Sequence, residues 1–219
     1  MARPSVEAER REQILEAACT VIADVGLQAL RLSDIAKVAG VSSGTITYYF
    51  DTKKDVVNAA FEFNFSKSLE RRQGMFESHS SPIDALRGLV ESYLPADEHA
   101  LQAWRVWAEL WAEGMRDETL QEVNERLYGQ WRDLIAEAIR AAQEEGLAEP
   151  GDPEIMSNLL VGMIDGLAVQ VLLHSRHMTV DRMRETCHCM IDELIAKHPR
   201  PTTPAMAGGP AVSGLPPVE

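Results

Sequence analysis

Residues 33–50 read Ser-Asp-Ile-Ala-Lys-Val-Ala-Gly-Val-Ser-Ser-Gly-Thr-Ile-Thr-Tyr-Tyr-Phe. Ser33 is the kind of residue that caps a helix, and it predicts a short one over 34–39 that Gly40 stops. Ser42 predicts the cap of a second helix over 43–50. With these boundaries Ile35, Ala36, Val38 and Val41 are expected to face Ile46 and Phe50. Two short helices meeting at a glycine-containing turn have the spacing of a helix-turn-helix, whose second helix enters the DNA major groove. A plain helical hairpin with a polar outer face has the same apolar pattern.

The composition of the second helix separates the two. Its outer residues, Ser42, Ser43, Gly44, Thr45, Thr47, Tyr48 and Tyr49, are small or neutral hydrogen-bonders, and none is acidic. A helix N-terminus offers backbone N–H groups to a phosphate, and Gly44 lets the backbone come close. Lys53 and Lys54 open the following helix, where cations oppose the helix dipole. A phosphate opposite them would account for that placement.

Outward from this stretch, every segment has helical periodicity and none has that of a strand. A helix from about Ser5 to Val25 carries Ile14, Leu15, Ala18, Val21, Ile22 and Val25 on one face and ends at Gly26. Thr52, with Asp55 as its capping-box partner, opens a fourth helix that runs through Phe61, Phe65 and Leu69 towards Met75. Five more are predicted, from Ser81-Pro82 to Leu94, from Asp97, from Asp117 to near Gly146, from Asp152-Pro153 to His174, and from Thr179 to before Pro199. Residues 199–219 contain six prolines and three glycines and show no periodicity, so a disordered tail is expected there.

The net charge is −13, from 21 basic and 34 acidic residues. Seven of each fall in residues 1–54, which leaves 14 basic and 27 acidic residues after it. A neutral head on an acidic body implies two parts with different tasks. Three cysteines, Cys19, Cys187 and Cys189, do not make a disulfide framework and point to a reducing compartment. The charged first dozen residues are unlike a secretory signal. The apolar stretch from Leu159 to Leu173 is interrupted by Asp165 and is shorter than a bilayer span. A soluble cytoplasmic protein with no membrane partner is expected.

Residues 35–55, Ile-Ala-Lys-Val-Ala-Gly-Val-Ser-Ser-Gly-Thr-Ile-Thr-Tyr-Tyr-Phe-Asp-Thr-Lys-Lys-Asp, preceded by a helix ending at Gly26, resemble the TetR family of transcriptional repressors. The resemblance spans about residues 10–60 and rests on the Val-Ser-x-Gly-x-x-x-x-x-Phe-x-x-Lys spacing. It implies an all-α fold of nine helices. A three-helix DNA-binding domain over 1–52 would precede a six-helix effector-binding and dimerisation body over 53–198, followed by the tail at 199–219. The DNA contacts it implies fall on Ser33, Ser42, Ser43, Gly44, Thr45, Thr47, Tyr48, Tyr49 and Lys53. Leu32 stands where members often carry a hydroxyl residue at a phosphate.

In the body, Leu159, Leu160, Met163, Leu167, Val171 and Leu172, with Val161, Ile164 and Val169, are too many for one intramolecular stripe. A helix apolar all round is buried on both sides. The resemblance implies that the second side is a copy of itself, a four-helix bundle across a two-fold axis, with Leu159, Gly162, Met163, Gly166, Met190 and Leu194 at the interface. An internal core helix of a monomer is the alternative. Trp104, Trp107 and Trp111 recur at i, i+3 and i+7, with Trp131 one helix later. They form either a core stripe or an aromatic wall for a ligand, a cationic one if Asp165 shares it. Asp165, costly inside an apolar helix, has a second possible partner in an arginine across the dimer. Ile164-Asp165-Gly166-Leu167 and the tryptophans also resemble the BetI-like branch of the family, whose namesake responds to choline.

His174, His177 and Cys187-His188-Cys189 are read as solvated histidines and buried thiols rather than a metal site, since adjacent helical residues point apart. No catalytic triad order, phosphate loop or paired-carboxylate motif occurs, and no cofactor is expected. The expectation is a homodimeric, ligand-responsive regulator of a palindromic operator on double-stranded DNA. A regulator with no effector is the second choice and an enzyme the third.

Overall fold

The computed structural model describes residues 6–78 and 81–196, and the proline-rich tail at 199–219 lies outside them. Nine α-helices occur among the described residues. The head holds α1 (Val6–Ala29), α2 (Leu32–Ala39) and α3 (Ser43–Tyr49). The body holds α4 (Lys53–Ser78), α5 (Pro82–Tyr93), α6 (Glu98–Gly114), α7 (Glu118–Glu144), α8 (Pro153–Leu172) and α9 (Val180–Met190). A single π turn, Ile191–Ile195, ends the last helix, and the only β contact described is an isolated bridge between Ala148 and Ala196.

The cap residues account for most of these boundaries. Ser42, Ser81, Asp97, Asp117, Asp152 and Thr179 each accept a backbone N–H from the first turn of the helix they precede. Pro82 and Pro153 occupy first-turn positions, where the missing N–H costs nothing. The Thr52–Asp55 capping box also forms: Thr52 N–H donates to Asp55 Oδ2 at 2.9 Å and Asp55 N–H to Thr52 Oγ1 at 3.1 Å.

Three local expectations are corrected. Ser33 does not cap α2: the helix starts one residue earlier, with Arg31 at the cap position and no side-chain cap bond. Leu32 enters the first turn because it packs against the core. Val25 is 49% exposed. Gly26, at φ 75°, kinks α1 and redirects the chain so that Leu27 and Leu30 fill the core beyond the kink. Val38 is 52% exposed, because α2 lies on its neighbours through Ile35, Ala36 and Ala39.

A continuous apolar core runs from Ile14, Ile22, Ile35 and Ile46 in the head to Leu86, Leu110, Ile135, Leu160 and Met183 in the body. α8 departs from the expected membrane argument. It spans 20 residues, because Pro153 starts it six residues before Leu159, and it is long and apolar enough to cross a bilayer. Only 28% of that apolar stretch is buried within the protomer.

Candidate nucleic-acid interface and ligand cavity

Gly40 makes the turn between α2 and α3. It sits at φ 63°, ψ 34°, and a Cβ there would meet nothing within 4 Å, so the backbone conformation and not crowding calls for glycine. Val41 N–H then donates to Ala36 O at 3.0 Å, closing the turn. Ile46, fully buried, pins α3 by its inner face, and Phe50 follows with the Arg11 guanidinium 5.2 Å from its ring centroid.

The outer face of α3 carries exposed Ser42, Ser43, Gly44, Thr47 and Tyr48, with Thr45 half-buried. Three hydroxyls are already engaged locally, Ser42 Oγ and Thr45 Oγ1 being hydrogen-bonded to each other at 2.9 Å. Ser42 Oγ accepts the Thr45 N–H at 3.0 Å, and Thr47 Oγ1 donates to Gly44 O at 3.1 Å. Tyr48 projects furthest, 77% exposed, with its ring edge-on to Tyr49 at 5.1 Å. Tyr49 is half-buried and packs against the core. Ser33 is exposed in the first turn of α2. Lys53 Nζ donates to Leu27 O at 3.3 Å, and Lys54 pairs with Asp117 of the body at 3.3 Å. The structure therefore brings Ser42, Ser43, Gly44, Thr45, Thr47 and Tyr48 onto one short helix that protrudes from the core by its polar side.

This head surface sits on a body with a cleft in it. The four tryptophans do not share one role. Trp131 and Trp104 are 3% and 5% exposed. Trp131 stacks on Tyr93 with centroids 4.2 Å apart, and Trp104 Nε1 donates to Tyr93 O at 2.6 Å, so both belong to the core. Trp107 and Trp111 are half-buried and lie 5.9 Å apart at 33°. Trp111 alone of the four lines a cavity with Asp165. That cavity, about 400 Å³, is walled by Trp111 of α6, Asn124 and Tyr128 of α7, and Asp165, Gly166, Val169 and Gln170 of α8. Three helices thus converge on one carboxylate.

Asp165 accepts a short hydrogen bond from the Tyr128 hydroxyl, and no cation pairs with it among the described residues. Burial raises its pKa to about 6, and the Tyr128 bond offsets that only in part. Burial, and then the neighbouring carboxylate, push the Tyr128 phenol well above its usual range, which keeps it a donor. The Arg132 guanidinium lies 5.5 Å from the Tyr128 ring centroid and pairs with Glu125 at 3.1 Å. Asn124 and Tyr128 escaped the sequence argument. Their i, i+4 spacing beside the Leu120–Leu127–Trp131 stripe was the available signal, but the same pattern describes an ordinary helix flank.

Of the expected interface residues, Leu159 and Leu194 are 55% and 57% exposed. Gly162 and Gly166 are exposed, with open space where a Cβ would stand. Met163 and Met190 are half-buried against the core. Ile155 and Leu173, 59% and 69% exposed, extend the same stripe of α8 at both ends. The cysteine expectation is corrected: Cys187 is buried but Cys189 is exposed, on the opposite side of α9. His188 is held by Glu91 at 2.8 Å.

Residues 14–60 match the family described as bacterial regulatory proteins of the tetR family, and residues 82–196, more than half of the chain, match the BetI-type transcriptional repressor C-terminal family. The chain belongs to the TetR family, in its BetI branch. BetI 1 of Chromohalobacter salexigens is 26% identical over 195 residues, covering 86% of this chain and 91% of that protein. BetI of Yersinia pestis is also 26% identical, over 202 residues, covering 89% and 97%. Among solved structures, a transcriptional regulator from Saccharomonospora viridis in complex with choline has 32% identity and a TM-score of 0.81 over 87% of this chain and 99% of that one. A TetR-family regulator from Rhodococcus sp. has 28% identity and a TM-score of 0.76 over 84% and 97%. As a TetR-family protein the chain is a DNA-binding transcriptional regulator, and α2–α3 is its helix-turn-helix.

Proposed function

We propose that this regulator binds a palindromic operator as a homodimer and is released from it by a small cationic effector of the choline class, held at Asp165. Residues 1–52 act as the DNA-reading head and 53–198 as the effector-binding and dimerising body. One observation carries the effector assignment: a half-buried carboxylate with no cationic partner among the described residues faces an aromatic-lined cavity. A quaternary ammonium has no N–H to donate, so ring faces and a nearby negative charge are what can hold it. The choline complex of the S. viridis regulator supports the same class of ligand in a relative of this size and fold.

The exposed stripe of α8 supports the dimer. Its Ile155, Leu159, Leu173 and open Gly162–Gly166 edge suit a second copy packed across a two-fold axis. Each protomer then presents one α3, and half-site spacing reflects the distance between the two. On DNA, Tyr48, Ser43, Gly44 and Thr47 contact base edges and backbone, with Ser33, Ser42, Thr45 and Tyr49 at the flanks and Lys53 at a phosphate. An acidic body confines contact to the neutral head.

Fluorescence anisotropy of labelled DNA from upstream of the gene, at fixed salt and with competitor DNA, tests the proposal. Saturable binding that choline weakens by roughly 5- to 150-fold, the usual span of allosteric coupling, is the expected result. Specific binding that no ammonium compound alters would leave a regulator without an effector.

A further inference from the structure

A second cavity, about 560 Å³, adjoins the first and is lined by Leu110, Trp111, Gly114, Met115, Gln121, Glu122, Asn124 and Glu125. The two share Trp111 and Asn124, whose side chains are joined by a bond from Trp111 Nε1 to Asn124 Oδ1 at 3.1 Å. The first holds Asp165 and the Tyr128 ring. The other is bordered by Leu110 and by Met115, a large apolar side chain left 75% exposed at the C-terminal end of α6. Of the two carboxylates at that end, Glu125 is paired with Arg132 and Glu122 is exposed to water, so neither offers a desolvated charge.

We infer that the effector of this chain is an amphipathic monocation, with its ammonium head at Asp165 and an alkyl or aryl tail lying past Trp111 onto Met115. The inference rests on the cationic-effector assignment above and extends it. A choline-sized ion has seven non-hydrogen atoms and occupies the Asp165 end alone, leaving the Leu110–Met115 end wet. At about 560 Å³ the second cavity is itself of the size that holds drug-sized ligands, and such sites are mostly apolar with a few placed polar groups. Each tail methylene moved from water onto this apolar wall tightens binding by up to about fourfold.

Calorimetry on the full chain with tetramethylammonium, choline and butyl-, hexyl- and octyl-trimethylammonium, all below their micelle concentrations, tests it. Affinity is expected to climb by up to about fourfold per methylene and then to level off. Met115→Ser should flatten the climb and leave tetramethylammonium binding unchanged, since Met115 is exposed and supports no core. Octyl sulfate, with the same tail and an anionic head, should not bind. Equal affinity along the series, with tetramethylammonium still bound, would overturn the tail site and leave the cationic head site standing. A climb that Met115→Ser does not flatten would overturn the tail's placement. Octyl sulfate binding as well as the cation would overturn the charge assignment, and binding of no ammonium ion at all would overturn both readings.

Discussion

The Leu27 backbone N–H donates to Glu109 Oε2 of α6 at 2.8 Å, directly after the Gly26 kink that ends the regular part of α1. On its other side, the Leu27 carbonyl accepts from Lys53 Nζ of α4 at 3.3 Å. One residue of the head is therefore clamped by two body helices. Gln28 adds a bond to Glu113 at 2.8 Å, one turn further along α6. Glu109 lies two residues from both Trp107 and Trp111, so the helix that walls the cavity is also the helix that holds the head.

Glu109→Ala is expected to lower stability by about 1 kcal/mol, because the Leu27 N–H loses a charged acceptor in a part-buried place. Glu109→Gln keeps an acceptor oxygen and should retain most of it. Urea midpoints of the two variants measure the difference. Equal midpoints for Ala and wild type would show the bond to be without weight.

Tyr48→Ala should weaken operator binding at least about tenfold and change stability by less than about 0.5 kcal/mol, as suits a side chain that projects from the fold. Tyr49→Ala should lower stability as well, since that ring packs against the core. Lys53→Ala should reduce the salt dependence of DNA binding by about one phosphate contact per protomer. An unaltered salt slope would confine Lys53 to its bond with Leu27 O.

Asp165 titrates near pH 6 in the folded protein and near its ordinary 3.8 when unfolded. The folded state therefore holds this proton more tightly, and stability falls as pH rises from about 4 to about 6. Asp165→Asn should remove that part of the pH dependence, read from Tm across the interval. Cation binding has the opposite sign: it needs the ionised form and should weaken as pH drops below about 6. Ammonium affinity that is flat from pH 5 to 7.5 would mean that Asp165 does not hold the cation.

If the proposed dimer packs through α8, Leu159→Lys should leave folded monomers, because the side chain is exposed in the protomer and removing it leaves no internal cavity. Sedimentation velocity gives the mass and circular dichroism the helix content. A dimer that survives would move the two-fold contact away from this stripe of α8.

Trp131→Ala should cost about 3–5 kcal/mol, as expected when a core indole is deleted. Trp111→Ala should cost less and cut ammonium affinity more. Thermal melts and calorimetry on both variants separate core from cavity, and equal stability losses would return Trp111 to the core.

Local rules acting over a few residues set much of this molecule. A serine, threonine or aspartate ahead of an apolar stripe satisfies the first free N–H groups of a helix wherever it occurs, and so Ser42, Ser81, Asp97, Asp117, Asp152 and Thr179 marked their helix starts in the sequence alone. The Gly40 turn and the polar outer face of α3 were legible for the same reason. Where a side chain's fate depended on a distant neighbour, local pattern fell short. Ser33 yielded the start of α2 to Leu32 because the core took the leucine, and Val25 was left outside once the Gly26 turn brought Leu27 and Leu30 inward.

The cavity belongs wholly to tertiary structure. Helical periodicity places Trp104, Trp107 and Trp111 near one another on α6 but says nothing about which of them meets α5, α4 or α8. Packing sent Trp104 to Tyr93 and Trp107 towards Phe65, and left Trp111 beside Tyr128 and Asp165. Three helices far apart in the chain had to cross before a carboxylate, a phenol and an indole could line one space. Crossing is decided by how whole helix faces interlock, a property that no single segment of sequence carries.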